Sequence, residues 1–270
     1  MKKYTLLFLI LSIIIAGCAS ESNPTDTDAN EIRLLENAKK SIDSLLYAIW
    51  DYGDMNAPKI VEAEFDEPFI RNILTSTLSR FSEVYEVVYV DSLGILKYLE
   101  PEEYKESEGT DISEQSHVVQ LFETKQRVIS NIFWLVEGYH AIVMESPIIK
   151  DDKCVGSISP IFKPHELIGS LTTEIQATGV DDFWVMDDTG YIIYDTDPFQ
   201  IGRNIFTDSL YADFPTLHTA TSIILAGESG KTEYSFLSKE KDKTVHKDVW
   251  WRTSDYYGTK WKFCIVKERE

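Results

Sequence analysis

Val90-Asp91-Ser92-Leu93-Gly94-Ile95-Leu96-Lys97-Tyr98 is answered further along the chain by Met186-Asp187-Asp188-Thr189-Gly190-Tyr191-Ile192-Ile193-Tyr194. The aspartates, glycines and tyrosines of the two stretches all keep one offset, 96 residues (91 to 187, 94 to 190, 98 to 194). In each copy an apolar strand runs into Asp-x-x-Gly, good chemistry for a type I turn with Asp first and Gly fourth. A second strand ending in tyrosine follows, then a proline (Pro101, Pro198) and Gly-x-x-Ile (Gly109 to Ile112, Gly202 to Ile205). Two similar units of this size predict a tandem of small domains, not a solenoid.

Outward from these hairpins the pattern extends in both directions. Glu31 to Asp51 carries Ile32, Leu35, Ile42, Leu45, Leu46 and Ile49 on one helical stripe. Asn30 is its expected cap, and Gly53 to Pro58 its expected end. A second helix is expected over 67–81, capped by Asp66 with Pro68 in its first turn. After the first hairpin come a short helix (113–124) and three strands (127–136, 139–149, 153–161). Pro164 to Ala177 reads as a connecting helix. The second hairpin is followed in the same way by a helix (215–226) and strands at 231–237, 245–253 and 259–266. The fold class is α+β: a long N-terminal helix, then two five-stranded antiparallel sheets with flanking helices.

The N-terminus predicts export. Lys2 and Lys3 precede the apolar run Tyr4 to Ile15, too short to span a bilayer and right for a signal-peptide core. Ala16-Gly17-Cys18 resembles the lipobox of prokaryotic lipoproteins, which implies lipidation of Cys18. The expected organisation is a signal peptide (1–17), a polar tether (18–30), a helix (31–58) and modules at 59–165 and 166–270. The protein is expected on the extracytoplasmic side of the cell membrane, held only by lipid. Loss of residues 1–17 removes two lysines and takes the net charge from −19 to −21. That charge excludes nucleic acid as a partner class. Cys154 and Cys264 are expected as buried free thiols.

Phe183 to Asp195 with Ile201-Gly202-Arg203-Asn204-Ile205-Phe206, and the closing strands Val249 to Thr253 and Gly258 to Phe263, resemble the double Cache family. These are extracytoplasmic sensor domains related to the PAS fold, and the resemblance spans roughly residues 31 to 268. It implies a small-molecule ligand against one sheet face of the first, membrane-distal module, under the short helix and long loop. It also implies signal relay, here to a separate membrane receptor or kinase. Arg127 and Trp134 stand seven residues apart, unlike the Arg-x-Trp-Tyr arrangement of the amino-acid-binding subset, so an amino-acid ligand is not implied.

Phe133, Trp134, Tyr139 and His140 cluster around one turn of that module and offer aromatic area with polar tips. They are the candidate ligand residues, with Trp134 leading. Strand alternation keeps Tyr139 and His140 from facing the same side. Asp91 is a turn former first and a ligand group second. Asp187, Asp188, Asp195 and Asp197 lack calcium-loop spacing and read as solvated turn carboxylates. His165-Glu166 lacks the second histidine of a zinc-protease helix, because Gly169 stands in its place. No metal, cofactor or enzymatic activity is expected. The competing reading is an interaction module whose sheet faces are filled by side chains.

Overall fold

The computed structural model describes residues 26–135, 139–176, 178, 180–238 and 242–269. The lipobox and Cys18 lie outside the described residues. The described residues open with α1 (Asp26–Glu62), a single helix of 37 residues, about 55 Å at 1.5 Å per residue. The expected cap at Asn30 and the expected break at Gly53 to Pro58 are both overridden by tertiary packing. Ile42, Leu46, Ile49, Trp50, Ala57 and Ile60 are buried along one stripe that spans the would-be break. Gly53 is needed where the helix presses on a strand, because a Cβ there would lie 2.3 Å from the Ser146 hydroxyl. An interior proline such as Pro58 forfeits one helical hydrogen bond, and burial on both sides offsets it.

α2 (Glu67–Arg80) starts as expected, with the Asp66 carboxylate accepting from Phe69 N at 3.1 Å. The first sheet contains β1 (Glu86–Asp91), β2 (Leu96–Glu100), β3 (Val128–Ile129), β4 (Phe133–Trp134), β5 (His140–Lys150) and β6 (Lys153–Phe162), with α3 (Ser116–Thr124) between β2 and β3. Its order is β2-β1-β6-β5-β3, with β4 also on β5. α4 (Pro164–Gln176) leads to β7 (Asp182–Asp187), β8 (Ile192–Asp195), α5 (Pro215–Ala226), β9 (Ser229–Leu237), β10 (Thr244–Tyr256) and β11 (Thr259–Glu268). The second sheet has the order β8-β7-β11-β10-β9, the same winding as the first. All pairs are antiparallel.

The two Asp-x-x-Gly turns are equivalent down to single hydrogen bonds. Asp91 Oδ1 accepts from Leu93 N (2.9 Å) and Ile95 N (3.1 Å); Asp187 Oδ1 accepts from Thr189 N (2.9 Å) and Tyr191 N (3.0 Å). Gly94 (φ +75°) and Gly190 (φ +89°) close the turns in the left-handed region. The strand register slips at the same place in each hairpin, between Tyr89 and Val90 and between Val185 and Met186, as a turn closed by a left-handed glycine bulge requires. Tyr98 pairs with Tyr89, and Tyr194 with Val185, again 96 residues apart. The later loops match too: Ile112 N donates to Gly94 O, and Ile205 N to Gly190 O, both at 2.9 Å.

Three further expectations change. The strand expected over 127–136 is broken into β3 and β4. Val128 and Ile129 pair with Glu145 and Met144, while Phe133 and Trp134 pair with Ala141 and His140, so one extra residue bulges between them. Ser130 fills the break: its N–H donates to Val143 O (2.8 Å) and its hydroxyl accepts from Val143 N (2.9 Å). Second, Asp187 and Asp195 are buried, not solvated. Third, Cys264 is a buried free thiol, but Cys154 is only half-buried, and by register the counterpart of Cys264 is Ser159.

α1, α2 and α4 cover one face of the pair of sheets and share a continuous core with them. The opposite faces carry separate clusters, one in each module. α1 joins both sheets: Trp50 Nε1 donates to Glu145 O (3.2 Å), and Ser254 Oγ to Asp43 Oδ1 (2.7 Å). Among the described residues no helix is long and apolar enough to cross a membrane.

Candidate ligand-binding site

On the sheet face away from α1, alternation brings Val88 and Val90 (β1), Val143 and Glu145 (β5), and Ser159 and Ile161 (β6) to one surface. The connection after β2 contributes Ile112 and Gln115, α3 contributes His117, and Phe133 and Leu135 close the side. They enclose a cavity of about 80 Å³, the room of two to three waters. Apolar walls with a few convergent polar groups are what a small-molecule site needs.

Glu145 is the anomaly in this surface. It is 1% exposed, and neither carboxylate oxygen has a hydrogen-bond partner among the described residues. His117 Nε2 stands 3.4 Å from Oε1, without hydrogen-bond geometry. Burial pushes the Glu145 carboxyl up to about 8; the nearby Ser157 hydroxyl favours the charged form, but it pairs with Ser159 Oγ at 2.8 Å and not with the carboxylate. Burial pushes the His117 imidazole down to about 4. Glu31 and Asp187 also hold one buried oxygen without a partner, but only in Glu145 are both oxygens in that position among the described residues. The Asp187 carboxyl is raised by burial as well, while its other oxygen serves the turn.

The structure divides the expected aromatic residues between the two faces of one hairpin. Phe133 lines the cavity, its ring stacked on His117 with centroids 5.9 Å apart. Tyr139 packs at the edge of the same cluster and donates its hydroxyl to Glu86. Trp134 is 62% exposed and meets His140 edge-on at 4.7 Å. His140 turns toward the second module, where a Cβ on Gly202 would lie 2.0 Å from its Nε2. Asp91 holds its turn, and Cys18 is outside the described residues. Glu145 and His117 were not singled out from the sequence. The available signal was an acid at an inward position of an apolar strand, His140-Ala141-Ile142-Val143-Met144-Glu145.

A larger cavity of about 330 Å³ opens in the second module beside Asp181, Asp182, Thr196, Phe199, Phe236 and Lys247. Its polar groups already serve one another. Asp182 accepts from the Thr196 hydroxyl, Asp181 Oδ2 from Glu268 N (2.7 Å), and the buried Lys247 ammonium lies 3.5 Å from Glu268. This cavity is the larger of the two, and unpartnered chemistry favours the smaller one.

The modules touch where α3 and β3 meet the β10–β11 turn. Arg127 joins Asp51 (2.6 Å), Asp54 (2.7 Å) and the Tyr257 hydroxyl (3.3 Å). Thr259 Oγ1 donates to Ile129 O (3.0 Å), and Gln120 Nε2 to Tyr257 O (3.4 Å).

Residues 53–164 match the sequence model of the HK/GC/chemotaxis protein-like sensor domain. No curated protein matches the chain in sequence. Among solved structures, an extracellular ligand binding receptor from Desulfohalobium retbaense is 21% identical with a TM-score of 0.72 over 88% of this chain. This chain spans only 40% of that receptor's length. The periplasmic sensory domain of the Campylobacter jejuni chemoreceptor Tlp1 is 13% identical with a TM-score of 0.66, covering 90% of this chain and 96% of that one. The ligand-binding domain of the Pseudomonas aeruginosa amino-acid chemoreceptor PctC, solved with GABA, is 14% identical with a TM-score of 0.65, covering 90% and 100%. The chain thus has the α+β fold of double Cache-like sensor domains.

Proposed function

We propose that this protein is an extracytoplasmic sensor that binds a small solute in the first-module cavity and relays that state to a separate membrane receptor or kinase. The observation that carries this reading is Glu145, a buried carboxyl with neither oxygen hydrogen-bonded among the described residues, facing a cavity under α3. Burying an unpaired carboxyl costs folding free energy, so a ligand that satisfies it is the economical account of its presence. The contacts from α3 and β3 to the β10–β11 turn offer the route by which a change at His117 reaches the second module. The lipid at Cys18 holds the protein at the membrane; Cys18→Ser should release it from the membrane fraction or block its processing.

A thermal-shift screen of amines, amino acids, organic acids and purines tests the binding. A ligand at a hundred times its Kd stabilises by about 2.7 kcal/mol. Val88→Trp and the milder Val90→Met narrow the cavity and should abolish the shift while the variants still unfold cooperatively. A shift that survives both would place the site elsewhere. No shift with any solute would favour the interaction-module reading.

A further inference from the structure

The chemistry of this cavity selects among ligands. Glu145 brings an acid with neither oxygen satisfied, and no Lys or Arg lines the cavity among the described residues. Once Glu145 is ionised, above about pH 8, a carboxylate, phosphate or zwitterionic amino acid would set its anion against it with no counter-charge beside it. An alkylammonium does the opposite. Its charge favours the ionised form of Glu145, its N–H groups meet that carboxylate, and the neutral imidazole of His117, 3.4 Å away, presents a second acceptor. Its alkyl part meets Val88, Val143 and Phe133. A hard metal ion wants six or more oxygens, and one carboxylate among apolar walls does not supply them. The net charge of −19 draws cations toward the surface.

The duplicated sheet shows that the fold does not need the acid. Strand register places Trp251 at the position of Glu145, and there its ring is packed into the core. The acid is therefore a local choice of the first module.

Resting on the ligand-site reading above, we propose that the first-module cavity binds a small organic cation lacking a carboxylate, an alkylammonium of about two to four non-hydrogen atoms, with Glu145 as its counter-ion. The size follows from the 80 Å³ of room.

Calorimetric titration of the full mature chain with methylammonium, ethylammonium and dimethylammonium chloride tests it, against sodium chloride, ethanol, acetate and glycine. The expected result is saturable binding of an alkylammonium, with glycine and acetate at least about a hundredfold weaker. Glu145→Gln should weaken that binding by about a hundredfold, and Glu145→Met provides a second neutral replacement if the glutamine variant folds poorly. Equal binding to wild type and Glu145→Gln overturns the counter-ion role. Binding of a neutral or anionic solute in preference to alkylammonium, lost in Val90→Met, overturns the cation class and leaves the cavity as the ligand site. Absence of binding by every solute, or binding that survives Val90→Met and Val88→Trp, overturns the cavity reading and this proposal with it.

Discussion

The two modules share a strand order, a turn, a bulge and an offset, yet their outer sheet faces are opposites. Register pairs Val88 with Trp184, Val90 with Met186, Glu145 with Trp251 and Ser159 with Cys264. In the second module these larger side chains pack with Leu217, Ala220 and Ile224 of α5, and the cavity of about 330 Å³ opens away from them, beside Phe236 and Leu237 of β9. Trp251 is seated so closely that a Cβ on Gly230 would lie 2.3 Å from its ring, and its Nε1 donates to Gly227 O at 3.2 Å. In the first module smaller side chains leave a cavity, and the acid stands where the tryptophan would be. Under the module's helix one copy packs that face with large side chains, and the other leaves room beneath α3.

The largest expected effect follows directly. Trp251→Ala should lower stability by about 3–5 kcal/mol, the usual result of truncating a buried tryptophan. Glu145→Met, at the matching position, should raise stability by about 1–3 kcal/mol near pH 8, because it removes an unsatisfied carboxyl and adds apolar contact. Urea unfolding of the two variants measures both. If Glu145→Met destabilises as Trp251→Ala does, the acid is part of the core's support and the contrast between the faces collapses.

The same pair has a pH signature. The folded Glu145 carboxyl sits near 8, above its ordinary 4.5, so the unfolded chain ionises first as pH rises. Wild type should therefore lose stability relative to Glu145→Gln progressively between about pH 4.5 and 8, with a constant difference above that window. His117 acts in the reverse direction. Its folded value near 4 lies below the ordinary 6.5, so stability falls as pH drops from 6.5 toward 4, and His117→Gln should remove that limb. His117, Ser157 and Cys154 are the groups that face or feel Glu145, and the Cys154 thiol is itself pushed up by burial. The raised carboxyls of Asp182, Asp187 and Asp195 titrate in the same sense but cancel between wild type and variant. A stability difference that does not change with pH would show that Glu145 finds a partner in solution.

These contrasts also mark how far the sequence could be read. The hairpins were legible because Asp-x-x-Gly turns are local chemistry: one carboxylate caps two N–H groups within four residues. The end of α1 was not, because Gly53 and Pro58 are breakers by local rules and only Ser146, far along the chain, explains the glycine. The β3–β4 break depends on Ser130 meeting Val143 across the strand. Glu145 was visible as a lone acid in an apolar run, but its isolation is a property of α3 and β6, which no local window contains.

A smaller effect is expected at the joint between modules. Arg127 is one-sixth exposed and shared between Asp51, Asp54 and Tyr257, so Arg127→Ala should cost only about 1 kcal/mol. Its sharper readout is hydrogen exchange at residues 257–259. Ligand binding in the first module should slow exchange there in wild type, and the variant should lose that response while keeping its affinity. An unchanged response would remove Arg127 from the route and leave Thr259 and Gln120 to carry it.

The smallest effect is expected at Trp134, the residue that composition and position made most conspicuous. Its ring is 62% exposed and touches His140 edge-on, while the cavity is bounded by its neighbour Phe133 on the other side of the strand. Trp134→Phe keeps most of the aromatic surface and removes one donor, so stability should change by less than about 0.5 kcal/mol. Affinity for a solute held under α3 should change by less than about twofold. Phe133→Ala, one residue away, removes the ring stacked on His117 and should weaken binding far more. The pair separates two surfaces of one hairpin. If Trp134→Phe weakens binding and Phe133→Ala does not, the ligand lies on the His140 side, against the second module. The contrast between a filled and an open sheet face would then concern packing alone.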